Sequence, residues 1–206
     1  MAIAFSAAAN TTVVNQASWT HVCGSSDTLL VVACNVFSGT PTVTYNGVSM
    51  TLGPNTGAIR SFYLFNPSPG SNTVAISGGT CTDSVSASYT GTAVSGLDAS
   101  ATTSEGGGAG SHTSSITTIA DNCWPIMAFA LDTTSTLAAG AATTQRAWAN
   151  QARAIAIFDS ATPKTPAGSV TLALTVGSAG SAGRWAKMSI APAADVNANG
   201  FFAVMD

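Results

Sequence analysis

Few side chains in this sequence could act as acids, bases or nucleophiles, and they are widely separated. The only glutamate, Glu105, opens a glycine-rich segment, and the eight aspartates occur singly. A glycosidase needs two facing carboxylates, and no spacing here proposes such a pair. No Gly-x-Ser-x-Gly motif occurs, and a triad of His21, Asp27 and a serine carries little weight because serine is so abundant. The sequence therefore predicts no catalytic residue and a protein that is not an enzyme.

Metal and cofactor sites are not indicated either. No two cysteines have the Cys-x2-Cys spacing of a zinc site, and the two histidines, His21 and His112, are far apart. Gly106–Gly110 lacks the Gly-Lys-Ser/Thr ending of a phosphate-binding loop. The cysteines lie in or beside apolar runs, which favours buried, reduced thiols over the alternative of two disulfide bonds. These cysteines are Cys23, Cys34, Cys81 and Cys123.

Composition points away from nucleic acid and membranes as partners. Charged residues make up 7% of the chain, against about 25% in a typical soluble domain, and the net charge is −3. No cluster of lysine or arginine is available to bind phosphates. No apolar run approaches the roughly 18 residues that span a bilayer, and the N-terminus does not read as a signal peptide. We therefore expect a product that starts at Met1 and is synthesised in the cytoplasm.

The elements that must position any site are short β-strands. Asn46-Gly47 separates two alternating segments and predicts a type I′ turn that pairs Tyr45 with Val48. Ser169–Val176 alternates apolar and hydroxyl residues, as a half-buried strand does. Similar segments recur along the chain, and none combines helical periodicity with caps and length. This pattern predicts an all-β sandwich, jelly roll or barrel.

We interpret the chain as an N-terminal arm over 1–17, a single β-sandwich domain over 18–192 and a C-terminal tail or final strand over 193–206. The Gly/Ser/Thr-rich stretch 90–114 suits a linker between two domains or a long surface loop, and we favour the loop. Phe201 and Phe202 in the tail should be buried, because apolar area left in water costs about 25 cal/mol per Å². They would belong either to the chain's own sandwich or to an attachment element that docks on a neighbouring subunit or capsid.

Aromatic side chains suggest a second kind of site, a platform for sugars. The candidates are Trp19, Tyr45, Tyr63, Trp148 and Trp185, and Trp148 is the strongest because it has polar neighbours in Gln145–Arg153. The competing interpretation is that large aromatic residues fill the interior of the sandwich.

Six short segments, taken in order, resemble a known family. They are Trp19–His21, Leu29–Ala33, Val43–Met50, Tyr63–Pro67 with Gly70, Val74–Ile76 and Val85–Tyr89. The series is similar to a jelly-roll β-sandwich family that includes capsid decoration, or cement, proteins of tailed bacteriophages and β-sandwich domains of secreted bacterial proteins. The resemblance covers about residues 18 to 135, in strand and turn positions that specify a fold and not a site.

The resemblance implies a jelly-roll-like, two-sheet antiparallel β-sandwich with long Gly/Ser/Thr-rich loops. It implies a virion protein on the outer surface of the head, whose partners are the major capsid protein and copies of itself, as a trimer. It brings no catalytic residue, cofactor or metal. The alternative is a carbohydrate-binding sandwich of a phage tail or a secreted bacterial protein. A charge-poor, hydroxyl-rich surface agrees with the first expectation, because it can be buried between subunits without desolvating charges.

Overall fold

A computed structural model describes residues 1–180 and 182–194, and it confirms an all-β fold built from antiparallel sheets. Fifteen strands are present in this part of the chain. They are β1 (Ala4–Asn10), β2 (Ser18–Cys23), β3 (Asp27–Tyr45), β4 (Val48–Ser49), β5 (Thr51–Asn55), β6 (Ile59–Phe65), β7 (Gly70–Thr90), β8 (Ala99–Glu105), β9 (Gly110–Thr117), β10 (Trp124–Leu131), β11 (Leu137–Ala139), β12 (Thr143–Ala149), β13 (Ile155–Ser160), β14 (Ser169–Val176) and β15 (Gly183–Ile190). Among these residues there is no helix long and apolar enough to cross a membrane.

The first half of the chain forms one sheet with the strand order β1-β7-β3-β6-β5, to which β2 and β4 add through β7 and β3. Its two long central strands bend sharply, since the register of β3 against β7 shifts repeatedly between Asn35 and Thr42. Gly39 lies in this bend with a φ of +74°, and a Cβ there would sit 2.8 Å from the carbonyl oxygen of Gly78. The bend therefore requires a residue without a side chain.

The bend folds the far end of this sheet back over its own outer face. Trp19 pairs with Val74 in the far part of β7, yet its indole N–H donates to the hydroxyl of Ser86 in the near part, at 3.0 Å. An apolar cluster fills the space between the two parts, and it includes Leu30, Val32, Cys34, Tyr45, Phe62 and Val74. The sheet thus supplies two layers of the molecule by itself.

The second half of the chain forms two further sheets, β12-β13-β10-β15-β8 and β11-β14-β9. The sandwich is therefore confirmed, but it has three sheets where two were expected. The five-stranded sheet is the central one, because β10 alternates its side chains between two cores. Ile126 and Ala128 pack with β3 and β7 of the first sheet, whereas Met127 and Phe129 pack with β14 of the third. The core between the first sheet and the central sheet thus joins the two halves of the chain.

Two local predictions are confirmed at the level of single residues. Asn46 and Gly47 have φ values of 49° and 77°, as a type I′ turn requires, and Tyr45 pairs with Val48. Tyr45 is buried, but Val48 at the turn is 50% exposed, so the apolar face of the hairpin is covered only in part. The strand over Ser169–Val176 has the predicted bounds, and its apolar side chains from Leu172 onward are buried.

The glycine-rich stretch 90–114 was predicted to be a long surface loop. It is not a continuous loop, because it contains β8 and the start of β9. β8 is an edge strand that pairs only with β15 and buries little, so it lacks the alternation that marks other strands. Residues 4–10 of the segment interpreted as an arm form β1, which pairs with β7 of the same chain. All four cysteines are buried and unpaired, as favoured from the sequence. The tail from residue 195 onward lies outside the described residues.

Candidate functional site

The aromatic and tail residues predicted as sites have different outcomes. Trp148 lies on the edge strand β12 and is 42% exposed, so it remains a candidate platform. Trp185 is 1% exposed and packs against Phe129 in a tilted arrangement with ring centroids 4.7 Å apart, so it cannot present a face to a sugar. The prediction for Trp185 is therefore wrong, because the third sheet covers this side of β15. Phe201 and Phe202 lie outside the described residues.

Glu105 and His112 form a pair that the sequence did not suggest. The Glu105 carboxylate lies 2.9 Å from Nδ1 of His112 and accepts a 2.7 Å hydrogen bond from the Trp185 indole. The other imidazole nitrogen of His112 lies 2.7 Å from the carbonyl oxygen of Gly108. All these polar atoms are engaged in closing the β8–β9 turn, so we assign the group a structural role.

A buried lysine lies beside this group. The ammonium of Lys187 donates to the hydroxyls of Thr103 and Ser114 and to the carbonyl of Ser115, at 2.7 to 3.0 Å. Burial lowers the pKa of Lys187, and the charge of Glu105 opposes that shift. Three oxygen acceptors thus satisfy the cation between the second and third sheets, and it has no access to a substrate.

His21 and Ser86 meet in the core of the bent sheet. The imidazole Nδ1 lies 2.9 Å from the Ser86 hydroxyl, and both residues are fully buried. Burial lowers the pKa of His21 from its ordinary value of 6.5 to about 4, and the charge of Asp27 opposes that shift. The Asp27 carboxylate accepts a hydrogen bond from the backbone N–H of Gly24. A serine–histidine pair exists, but it is sealed from solvent and cannot reach a substrate.

The aspartates of the described residues mainly hold loops. Asp98 accepts hydrogen bonds from the backbone of Ile119 and Ala120, and Asp121 accepts one from Ala167. The fully buried carboxylate of Asp159 accepts a 2.8 Å hydrogen bond from Nε of Arg146. Burial raises the pKa of Asp159, although Arg146 opposes the shift. Across residues 1–180 and 182–194, no three potential metal ligands come together.

The surface feature that stands out is an apolar groove, which we call the Phe37 groove. Its lining residues are Val14, Asn15, Phe37, Thr82, Ala152 and Arg153, and its volume is about 250 Å³. Phe37 is 62% exposed and Val14 is 45% exposed, with Val13 exposed beside them. The Arg153 guanidinium lies 5.4 Å from the centre of the Phe37 ring, which is a cation–π distance.

Hydrogen bonds from buried residues fix both walls of the Phe37 groove. The fully buried carboxylate of Asp83 accepts three backbone N–H bonds, from Gln151, Ala152 and Arg153, at 2.7 to 3.1 Å. On the other wall the backbone N–H of Asn15 donates to the carbonyl of Thr82 at 3.0 Å. Both anchors come from adjacent residues of β7, so the two loops are held at a set separation. The groove is therefore formed before any partner binds.

The size and lining of the Phe37 groove decide what it can bind. Small-molecule and cofactor sites occupy about 300–1,000 Å³, so about 250 Å³ is small for a cofactor. The exposed aromatic ring with an arginine beside it is typical of the residues that dominate protein–protein contacts. The groove is thus suited to one or two apolar side chains of another polypeptide.

No protein-family model and no curated protein matches this sequence.

The groove could hardly be predicted from the sequence. Phe37 ends an apolar run that predicts an ordinary buried strand, and no local pattern marks Asp83 as the residue that holds a loop. The one signal was the pair Val13-Val14 in a segment otherwise rich in polar residues.

Proposed function

We propose that this protein is a non-enzymatic structural protein of a tailed-bacteriophage virion, which attaches to the outer surface of the head and associates with neighbouring subunits there. The observation that carries the proposal is the Phe37 groove, a pre-formed apolar contact site on a charge-poor surface. The resemblance of the strand and turn series supplies the identity of the assembly, and the partner it implies is the major capsid protein.

The character of the surface supports assembly. Burying a charged side chain in an interface removes it from water, and the attraction to a partner often only offsets that cost. With 7% charged residues, this chain has few such costs to meet. When a neighbour covers exposed apolar side chains such as Phe37 and Val14, the burial of their apolar area favours association.

The test is binding of the full chain to capsids that lack it. We expect saturable binding with a stoichiometry set by the capsid lattice, and weaker binding by the Phe37→Ser variant. The matched control is Ile119→Ser, because Ile119 is 75% exposed and does not line the groove. Absence of lattice-fixed binding by the unchanged chain would refute the proposed function.

A second candidate function rests on the exposure of Trp148. Because 42% of this residue is accessible on an edge strand, it could stack on a sugar ring in a carbohydrate-binding sandwich. A glycan array probed with the full chain separates the two candidates. Binding that Trp148→Ala abolishes would favour the carbohydrate function.

A further inference from the structure

We propose that the Phe37 groove binds the apolar segment Gly200–Met205 of a second copy of this chain. This inference rests on the proposed function insofar as that function involves contact between neighbouring subunits. It adds the identity of the partner and of both contacting surfaces.

The chemistry of the two surfaces matches. Gly200-Phe-Phe-Ala-Val-Met205 holds five consecutive apolar residues, and the groove exposes Phe37 and Val14. A pair of adjacent aromatic rings suits a groove that accommodates one or two side chains. The residue after this segment is Asp206, and no carboxylate in the described part of the chain forms an ion pair with Arg153. An acidic residue beside the apolar segment would complement the arginine at the groove.

Chain length favours a second copy over the chain's own tail. Ala193 is bonded to Gly91 just beyond one end of β7, whereas Thr82 lines the groove nine residues away along the same strand. At about 3.3 Å per residue that separation is about 30 Å. Residues 195–201 extend at most about 25 Å even when fully straight. Phe202, one residue further on, extends at most about 29 Å, so seating both aromatic rings in the chain's own groove would need an almost straight tail, while the groove of a neighbour carries no such requirement.

The contact joins two different surfaces, so it is head-to-tail. Each copy offers one groove and one tail, and a head-to-tail contact closes into a ring or continues as a chain. The trimer implied by the family resemblance would be the smallest closed ring with more than two members. An alternative site for the tail is a cavity of the same chain, next to Ala194, the last described residue. This cavity has a volume of about 490 Å³ and is lined by Ile3, Asn122 and Pro192 among others.

Disulfide trapping separates these arrangements in the full-length protein. Chains with Ala152→Cys in the groove are mixed with chains that carry Ala203→Cys, and we expect a covalent mixed dimer under mild oxidation. Ala203→Cys mixed with Val48→Cys is the control, since Val48 is exposed on the β3–β4 hairpin away from the groove. No mixed dimer, or a bridge only within a chain that carries both groove and tail cysteines, would overturn the proposal.

Sedimentation velocity gives an independent measurement. We expect Phe37→Ser and the double variant Phe201→Ser/Phe202→Ser each to raise the dissociation constant for self-association at least tenfold, and combining all three changes to add little. Ile119→Ser should self-associate as the unchanged chain does. Urea midpoints check that each variant is folded. Tail variants that associate normally would overturn the inference while leaving capsid binding to be judged separately. Trapped mixed dimers without capsid binding would instead uphold the inference and refute the proposed function.

Discussion

Acid should destabilise this protein through His21, a buried residue that does not line the Phe37 groove. The imidazole is fully buried, and its pKa falls from 6.5 to about 4 because burial penalises the charged form. The unfolded chain therefore binds a proton near pH 6.5, whereas the folded protein binds it only near pH 4. The contribution of His21 to stability is complete above pH 6.5 and is lost as the pH falls towards 4.

The size of this effect follows from the two pKa values. Between about pH 7.5 and about pH 4.5, the free energy of unfolding should fall by about 2.5 kcal/mol on account of His21 alone. Urea unfolding at the two pH values measures it, by comparing the unchanged chain with His21→Asn. The variant should be less stable near neutrality, since it loses packing against Tyr45 and the contact with Ser86, but its stability should depend about 2.5 kcal/mol less on pH.

Other titrating groups do not alter the comparison. Burial raises the pKa of Asp159, so its contribution is lost as the pH rises, but this group is present in both proteins and cancels in the difference. His112→Gln keeps His21 and is the matched control, in which the acid-dependent loss should persist. Equal pH dependence in His21→Asn and the unchanged chain would show that the buried histidine is not the acid-sensitive group.

Three further outcomes can be measured by unfolding or thiol reactivity. Gly47→Val should lower the free energy of unfolding by at least about 1 kcal/mol, because it places a β-branched residue at a φ of 77°. The control Gly106→Val should change the free energy of unfolding little, because a Cβ at Gly106 would have no atom within 4 Å and the φ there is not positive. Asp83→Ala should lower the free energy of unfolding by about 3 kcal/mol or more, because it removes three hydrogen bonds to a charged carboxylate. Asp121→Ala at the surface should lower it by less than about 1 kcal/mol. Equal losses would contradict the role of Asp83 as an anchor. The four buried cysteines should react with a thiol reagent only after unfolding, and fast reaction of the native protein would contradict their burial.

The sequence by itself determined the features that depend on neighbouring residues. The turn at Asn46-Gly47 follows from the backbone angles that these two residue types tolerate, and the strand at Ser169–Val176 follows from its own alternation. The buried cysteines and the all-β class follow in the same way from apolar runs and from the lack of helical periodicity. The edge strands β1 and β8 were missed because they bury little and are held by hydrogen bonds to a partner strand.

The candidate site was decided by tertiary structure. Trp148 and Trp185 are the same residue type, and only the third sheet determines that one is exposed and the other buried. Phe37 has the sequence context of a core residue and reaches the surface because β3 bends beside it. Asp83 holds a loop about seventy residues further along the chain, and no local pattern encodes a bond across that separation. Burial and long-range hydrogen bonds are properties of the assembled sheets, so the sequence predicted the strands and the packing between them made the groove.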